Sequence, residues 1–94
     1  MKSREEVLPK LTVGTKLKPM FSKFDLASDS ILTLQEIDVV NFNLIAKNEI
    51  GAKIIMPLGA SYRYELDDNY FQIFHNDRSL GWQIVEKYKI IPEA

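Results

Sequence analysis

The sequence predicts a mainly β fold, either a small antiparallel barrel or a curled meander sheet, with one short N-terminal helix. Three observations carry this. From Ile31 to Ile91, short apolar or alternating runs recur at roughly ten-residue spacing with turn residues between them. β-branched and aromatic side chains fill those runs. The chain has 94 residues and 46% hydrophobic content, enough for one core and too little for two. A long early loop followed by tightly turned strands is analogous in plan to SH3-like barrels. That is an analogy of architecture alone, since no family-defining motif is present.

Ser3-Arg4-Glu5-Glu6 has the spacing of a capping box, and Pro9 limits the helix to one or two turns. Residues 1–10 read as a short basic leader, and residues 11–94 as a single small β domain. Leu11, Val13 and Leu17 alternate with Thr12, Lys16 and Lys18, which predicts a first strand over Leu11–Lys18, bulged at Gly14 and broken or edged by Pro19. Met20–Ser30 reads as a long loop that folds Phe21 and Phe24 over the core.

Residues 31–47 support two readings. Thr33-x-x-Glu36 and the spacing of Leu34, Ile37, Val40 and Leu44 suit a helix over 33–47, which would make the fold α+β. The β-branched content and the asparagines at 41, 43 and 48 favour two strands, about 31–40 and 42–47. Asn48-Glu49-Ile50-Gly51 predicts a type I turn closed by a glycine bulge, and the apolar runs flanking it suggest strands covered on both faces. Met56-Pro57-Leu58-Gly59 reads as another turn. Strands come next at Tyr62–Leu66, Tyr70–His75 and Trp82–Ile91, separated by Asp67-Asp68-Asn69 and by a loop over 76–81. Alternation places Tyr62, Tyr64, Trp82 and Ile84 inward and Arg63 outward. Lys87 and Lys89 read as charges guarding an exposed sheet edge.

No cysteine is present, so disulfides and thiolate metal sites are excluded, and a reducing, cytoplasmic setting is expected. No apolar run approaches the ~20 residues of a membrane helix, and Met1–Leu11 lacks the apolar stretch of a signal peptide. His75 is the sole histidine and no Gly-x-Ser-x-Gly elbow exists; beside Asn76-Asp77 it reads as a turn residue. Asp67-Asp68-Asn69 reads as turn chemistry, without calcium-loop spacing. The four glycines are scattered singly, so no phosphate loop forms. Neither a catalytic residue, a cofactor nor a metal site is expected.

The expected function is a non-enzymatic protein-interaction module, adaptor- or inhibitor-like. Its partner surface would be aromatic and acidic, built from Tyr62, Arg63, Tyr64, Tyr70 and Trp82 with Asp67 and Asp68. The alternative is a nucleic-acid-binding small barrel whose polyanion contacts come from Lys2, Arg4, Lys10, Lys16 and Lys18 in the basic leader region. Against it stands a count along the aromatic span 62–88, where Arg63, Arg78 and Lys87 meet Glu65, Asp67, Asp68, Asp77 and Glu86. Pairing of two copies through the terminal strand is a further expectation.

Overall fold

The computed structural model describes residues 1–22 and 30–92. They form one seven-stranded antiparallel sheet: β1 (Lys16–Ser22), β2 (Leu32–Asp38), β3 (Asn43–Lys47), β4 (Lys53–Ile55), β5 (Tyr62–Leu66), β6 (Tyr70–Asp77) and β7 (Gly81–Ile91). The strand order is β4-β3-β2-β1-β7-β6-β5, so two meanders are joined where β1 pairs with β7. The sheet is curled and does not close into a barrel. Residues 31–47 are two strands, and the helical alternative is excluded.

The helical spacing there has a cause. The β2–β3 register slips by one residue between Leu34 and Glu36. Leu34 and Ile37 therefore both face the core although three positions apart, as on a helix.

The first strand begins at Lys16, later than the alternation suggests, because Val13-Gly14 makes a turn with Gly14 at φ +93°. It also runs through Pro19. Among the described residues β2 pairs with β1 only at Lys16 and Leu17, so beyond them one side of β1 has no described strand partner, and a missing N–H is tolerated on such a side. Phe21 belongs to this strand and points out of the core, 47% exposed. Phe24 lies outside the described residues.

Asn48 caps the β3–β4 hairpin as expected. Its Oδ1 accepts the Ile50 and Ala52 amides at 3.1 and 2.9 Å, and Gly51 takes φ +85°. The outer side of this hairpin is uncovered, however, and Ile55 is 75% exposed. β4 is a sheet edge. Met56–Gly59 is irregular, with Met56 and Leu58 buried, and the turn falls three residues later, where the Tyr62 amide donates to the Gly59 carbonyl at 3.1 Å.

The N-terminal segment closes the open side of the curl. Arg4–Val7 forms a helical turn, α1, continued by a 3₁₀ turn at Leu8–Lys10. The Glu6 carboxylate accepts the Ser3 amide at 3.4 Å and the Ser3 hydroxyl at 3.2 Å. Val7, Leu8 and Leu11 enter one core with Leu17, Leu34, Leu44, Tyr64, Phe71, Ile73 and Tyr88. Each such side chain contributes about 1.5–3 kcal/mol on burial. Lys2 adds an antiparallel bridge to the outer edge of β5, exchanging backbone hydrogen bonds with Tyr64 at 2.7 and 2.8 Å. No helix among the described residues is long and apolar enough to cross a membrane.

Candidate interaction face

Residues paired across an antiparallel ladder share one side of the sheet. Starting from core members, the register therefore assigns every strand position to a face. Tyr64, Ile73 and Glu86 form an inward row, as do Leu66, Phe71 and Tyr88. Between Ile73 and Phe74 the β6–β7 register slips, because β7 carries Val85 as an extra residue. The slip exchanges the faces. Phe74 pairs with Ile84 and Asn76 with Trp82, all on the outer side. Trp82 is 41% exposed, which corrects the inward placement expected from simple alternation.

The outer face is the notable surface of this molecule. One row crosses Glu65, Gln72, Lys87 and Phe21; the next crosses Tyr70, Lys89 and Lys18; a third crosses Arg63, Phe74 and Ile84. A fourth runs over the other meander through Ile91, Lys16, Thr33, Lys47 and Lys53. Among the described residues, the carboxylates on this face are Glu36, Asp38 and Glu65. Two of them are engaged: Asp38 accepts the Val40 and Asn41 amides at 3.0 Å, which holds its carboxyl below the usual range, and Glu65 pairs with the Met1 ammonium at 3.3 Å.

Of the acids in the count along the chain, Glu65 is on the outer face and paired with the Met1 ammonium, while Asp67, Asp77 and Glu86 lie elsewhere. Asp67 is held at the β5–β6 turn, accepting the Asn69 and Tyr70 amides at 2.7 Å, and these bonds depress its pKa. Asp77 caps the β6–β7 turn through Ser79 and Leu80. Glu86 is 1% exposed in the core, bonded to the Tyr88 hydroxyl, and burial raises its pKa.

Of the residues singled out from sequence, Arg63, Tyr70 and Trp82 lie on the outer face. The Arg63 guanidinium stands 5.7 Å from the Trp82 ring and donates to the Ala60 and Tyr62 carbonyls, and the Lys87 ammonium stands 4.5 Å from the Tyr70 ring. Tyr64 is buried and donates its hydroxyl to the Pro57 carbonyl at 2.8 Å, so it serves the core. Tyr62 faces inward beside His75, the ring centroids 5.0 Å apart. His75 is thus a strand residue on a tyrosine, not a turn histidine.

The basic residues near the N-terminus divide. Lys16 and Lys18 belong to the outer face. Arg4 is a structural clamp: its guanidinium donates to the Leu58 carbonyl at 2.7 Å and lies 3.8 Å over the Phe42 ring. Phe42 sits at φ 55° in the β2–β3 turn. Lys2 is committed through its backbone to β5. Lys10 lines an open groove of about 350 Å³ with Asp67 and Asp68, away from the outer-face lysines.

Lys87 and Lys89 do not guard an edge. β7 lies between β1 and β6, so those lysines project from the sheet interior, and β7 has no free edge along most of its length. The same topology puts β4 and β5, not the terminal strand, at the two edges of the sheet. Lys47, Lys53, Lys87, Lys89, Phe21 and Phe74 are outer-face cations and aromatic residues that reading along the chain left out of the candidate surface. Their signal is cross-strand and needs the register. No family model matches this chain, and neither a curated protein nor a solved structure matches it.

Proposed function

We propose that this chain is a small non-enzymatic interaction module that receives an anionic macromolecule on the outer face of its sheet. The observation that carries the reading is charge segregation. The whole chain has net charge −1, yet among the described residues its outer face collects six lysines and Arg63 against three carboxylates, two of them already engaged. Such a face attracts a complementary partner irrespective of net charge, because the field near a surface follows the local distribution. The partner-facing chemistry is therefore aromatic and basic, where strand order alone suggested aromatic and acidic. The cysteine-free composition supports a cytoplasmic setting for this activity.

Retention on a polyglutamate matrix near pH 7 tests this. A protein with pI about 5.8 has no net attraction to such a matrix. The expected result is retention at ~50 mM salt, release by ~200 mM, and loss of retention in the Lys18→Glu/Lys89→Glu variant. Passage of the wild type unretained at low salt removes the reading.

A further inference from the structure

We infer that the anionic partner is single-stranded nucleic acid, laid across β6, β7 and β1; this rests on the outer face being the binding surface. Two independent features of that face point there.

The first is unrelieved repulsion. Lys18 stands directly opposite Lys89, and Lys47 directly opposite Lys53. Like charges in directly opposed positions destabilise a sheet. Neither ion pair among the described residues involves any of these lysines. A phosphate chain running over the rows would be shared between facing ammonium groups and would relieve the repulsion on binding.

The second is the placement of the rings. Phe21, Tyr70, Phe74 and Trp82 all project from the outer face, each with a cation beside it in its row or over its ring. The ring-to-ring contacts among the described residues are Tyr62 with His75, Tyr64 with Phe71 and Phe71 with Tyr88, all on the inner side. None of the outward rings is stacked on another ring among the described residues. Unstacked aromatic side chains interleaved with cations on a sheet are the arrangement on which unpaired bases stack while the backbone meets positive charge. An acidic polypeptide would neutralise the lysines but would offer the rings few flat π faces. A duplex keeps its bases stacked inside, and its grooves admit a helix or a two-stranded ribbon rather than a broad sheet.

Trp82 is the only tryptophan in the chain, so its emission reports directly on this face. The wild type is titrated with an oligothymidylate of about 20 nucleotides, with the matching duplex and with polyglutamate, at ~50 and ~200 mM salt. The single strand is expected to quench Trp82, to bind tightest of the three, and to weaken with salt. Trp82→Ala and Phe74→Ala, followed by anisotropy of a labelled strand, should each weaken binding about 5- to 100-fold. Trp82→Phe, which keeps a ring, should bind nearly as wild type. Lys18→Glu places opposite charges across β1 and β7, so it leaves the fold sound while lowering affinity and flattening the salt dependence. Polyglutamate binding as tightly as the single strand, with Trp82→Ala without effect on either, overturns the nucleic-acid inference and leaves the interaction face standing with an acidic protein as its partner. Duplex binding equal to single-strand binding also overturns it. If none of the three polyanions binds at low salt, the interaction face itself falls.

Discussion

The Glu86–Tyr88 pair makes the most demanding prediction about stability. Glu86 is inward by alternation with Tyr88, and Val85, the extra residue of the β7 bulge, is buried beside it, so Val85, Glu86 and Tyr88 are all buried. Ile73 flanks the carboxyl on β6 and Ser22 on β1. Oε1 accepts the Tyr88 hydroxyl, while Oε2 has no hydrogen-bond partner among the described residues. Burial raises the Glu86 pKa, and the Tyr88 hydroxyl opposes that only in part.

A raised folded-state pKa means that the native protein holds this proton more tightly than the unfolded chain does. The contribution of Glu86 to stability therefore falls as pH rises from the ordinary carboxylate value, about 4.3, through its raised native value, and stays low above it. Tyr88→Phe removes the one partner the carboxylate has. Leaving a buried acceptor unsatisfied costs about 1–3 kcal/mol, or more for a charged group. At ~4–8 °C per kcal/mol for a domain of this size, melting near pH 7 should fall by at least 4 °C. In Glu86→Leu/Tyr88→Phe both polar partners are replaced by apolar groups, and such exchanges are commonly neutral or stabilising. The double variant should thus recover the loss and match or exceed wild type near pH 7, and its stability should no longer decline over the Glu86 window. Urea denaturation of the three proteins between about pH 4 and 8 decides it. If the double variant is less stable than Tyr88→Phe alone, the pair is a net stabiliser and desolvation does not dominate its energetics.

Removal of Leu8 packing should be severe: Leu8→Ala is expected to cost about 2–5 kcal/mol in urea denaturation, since this side chain from the N-terminal segment is almost fully buried. Gly51→Ala should cost on the order of 1 kcal/mol, because an L side chain is strained at φ +85° even though open space surrounds it. Asn48→Ala should lose a similar amount by freeing two amides of the same hairpin. Acrylamide should quench Trp82 readily in the free protein, as its outer-face position requires; a shielded tryptophan would return it to the core side.

The strands and most turns were legible because their signals are local. Asp67 and Asn48 use their side chains to close turns within four residues, and period-2 alternation in Tyr62–Leu66 needs no knowledge of the rest of the chain. The N-terminal segment was only half legible. Its capping spacing can be read, but whether one turn of helix docks or frays depends on a hollow left between distant strands, where Arg4 finds Leu58 and Phe42.

Faces were harder to read than strands, for a single physical reason. Alternation assigns sides by counting, and one inserted residue inverts every assignment beyond it. The ladders slip at three places, near Met20, Gln35 and Val85. The slip at Gln35 gave β2 a helical look; the one at Val85 turned Trp82 from core to surface; the one at Met20 set Phe21 beside Lys87. Charge follows the same logic. A tally along residues 62–88 is negative because it sums Glu86 from the core with turn aspartates whose oxygens hold backbone amides. Sorted by register, the outer-face positions are mainly basic. The candidate site is thus a property of pairing rather than of sequence order. Deleting Val85 tests that link: it should remove the bulge and leave strict alternation along β7, keep the pairs Phe74–Ile84 and Asn76–Trp82, and so leave Trp82 outward with both acrylamide access and retention on polyglutamate intact. A Val85-deleted protein that folds yet shields Trp82 and passes the matrix unretained would show that cross-strand register does not set this face.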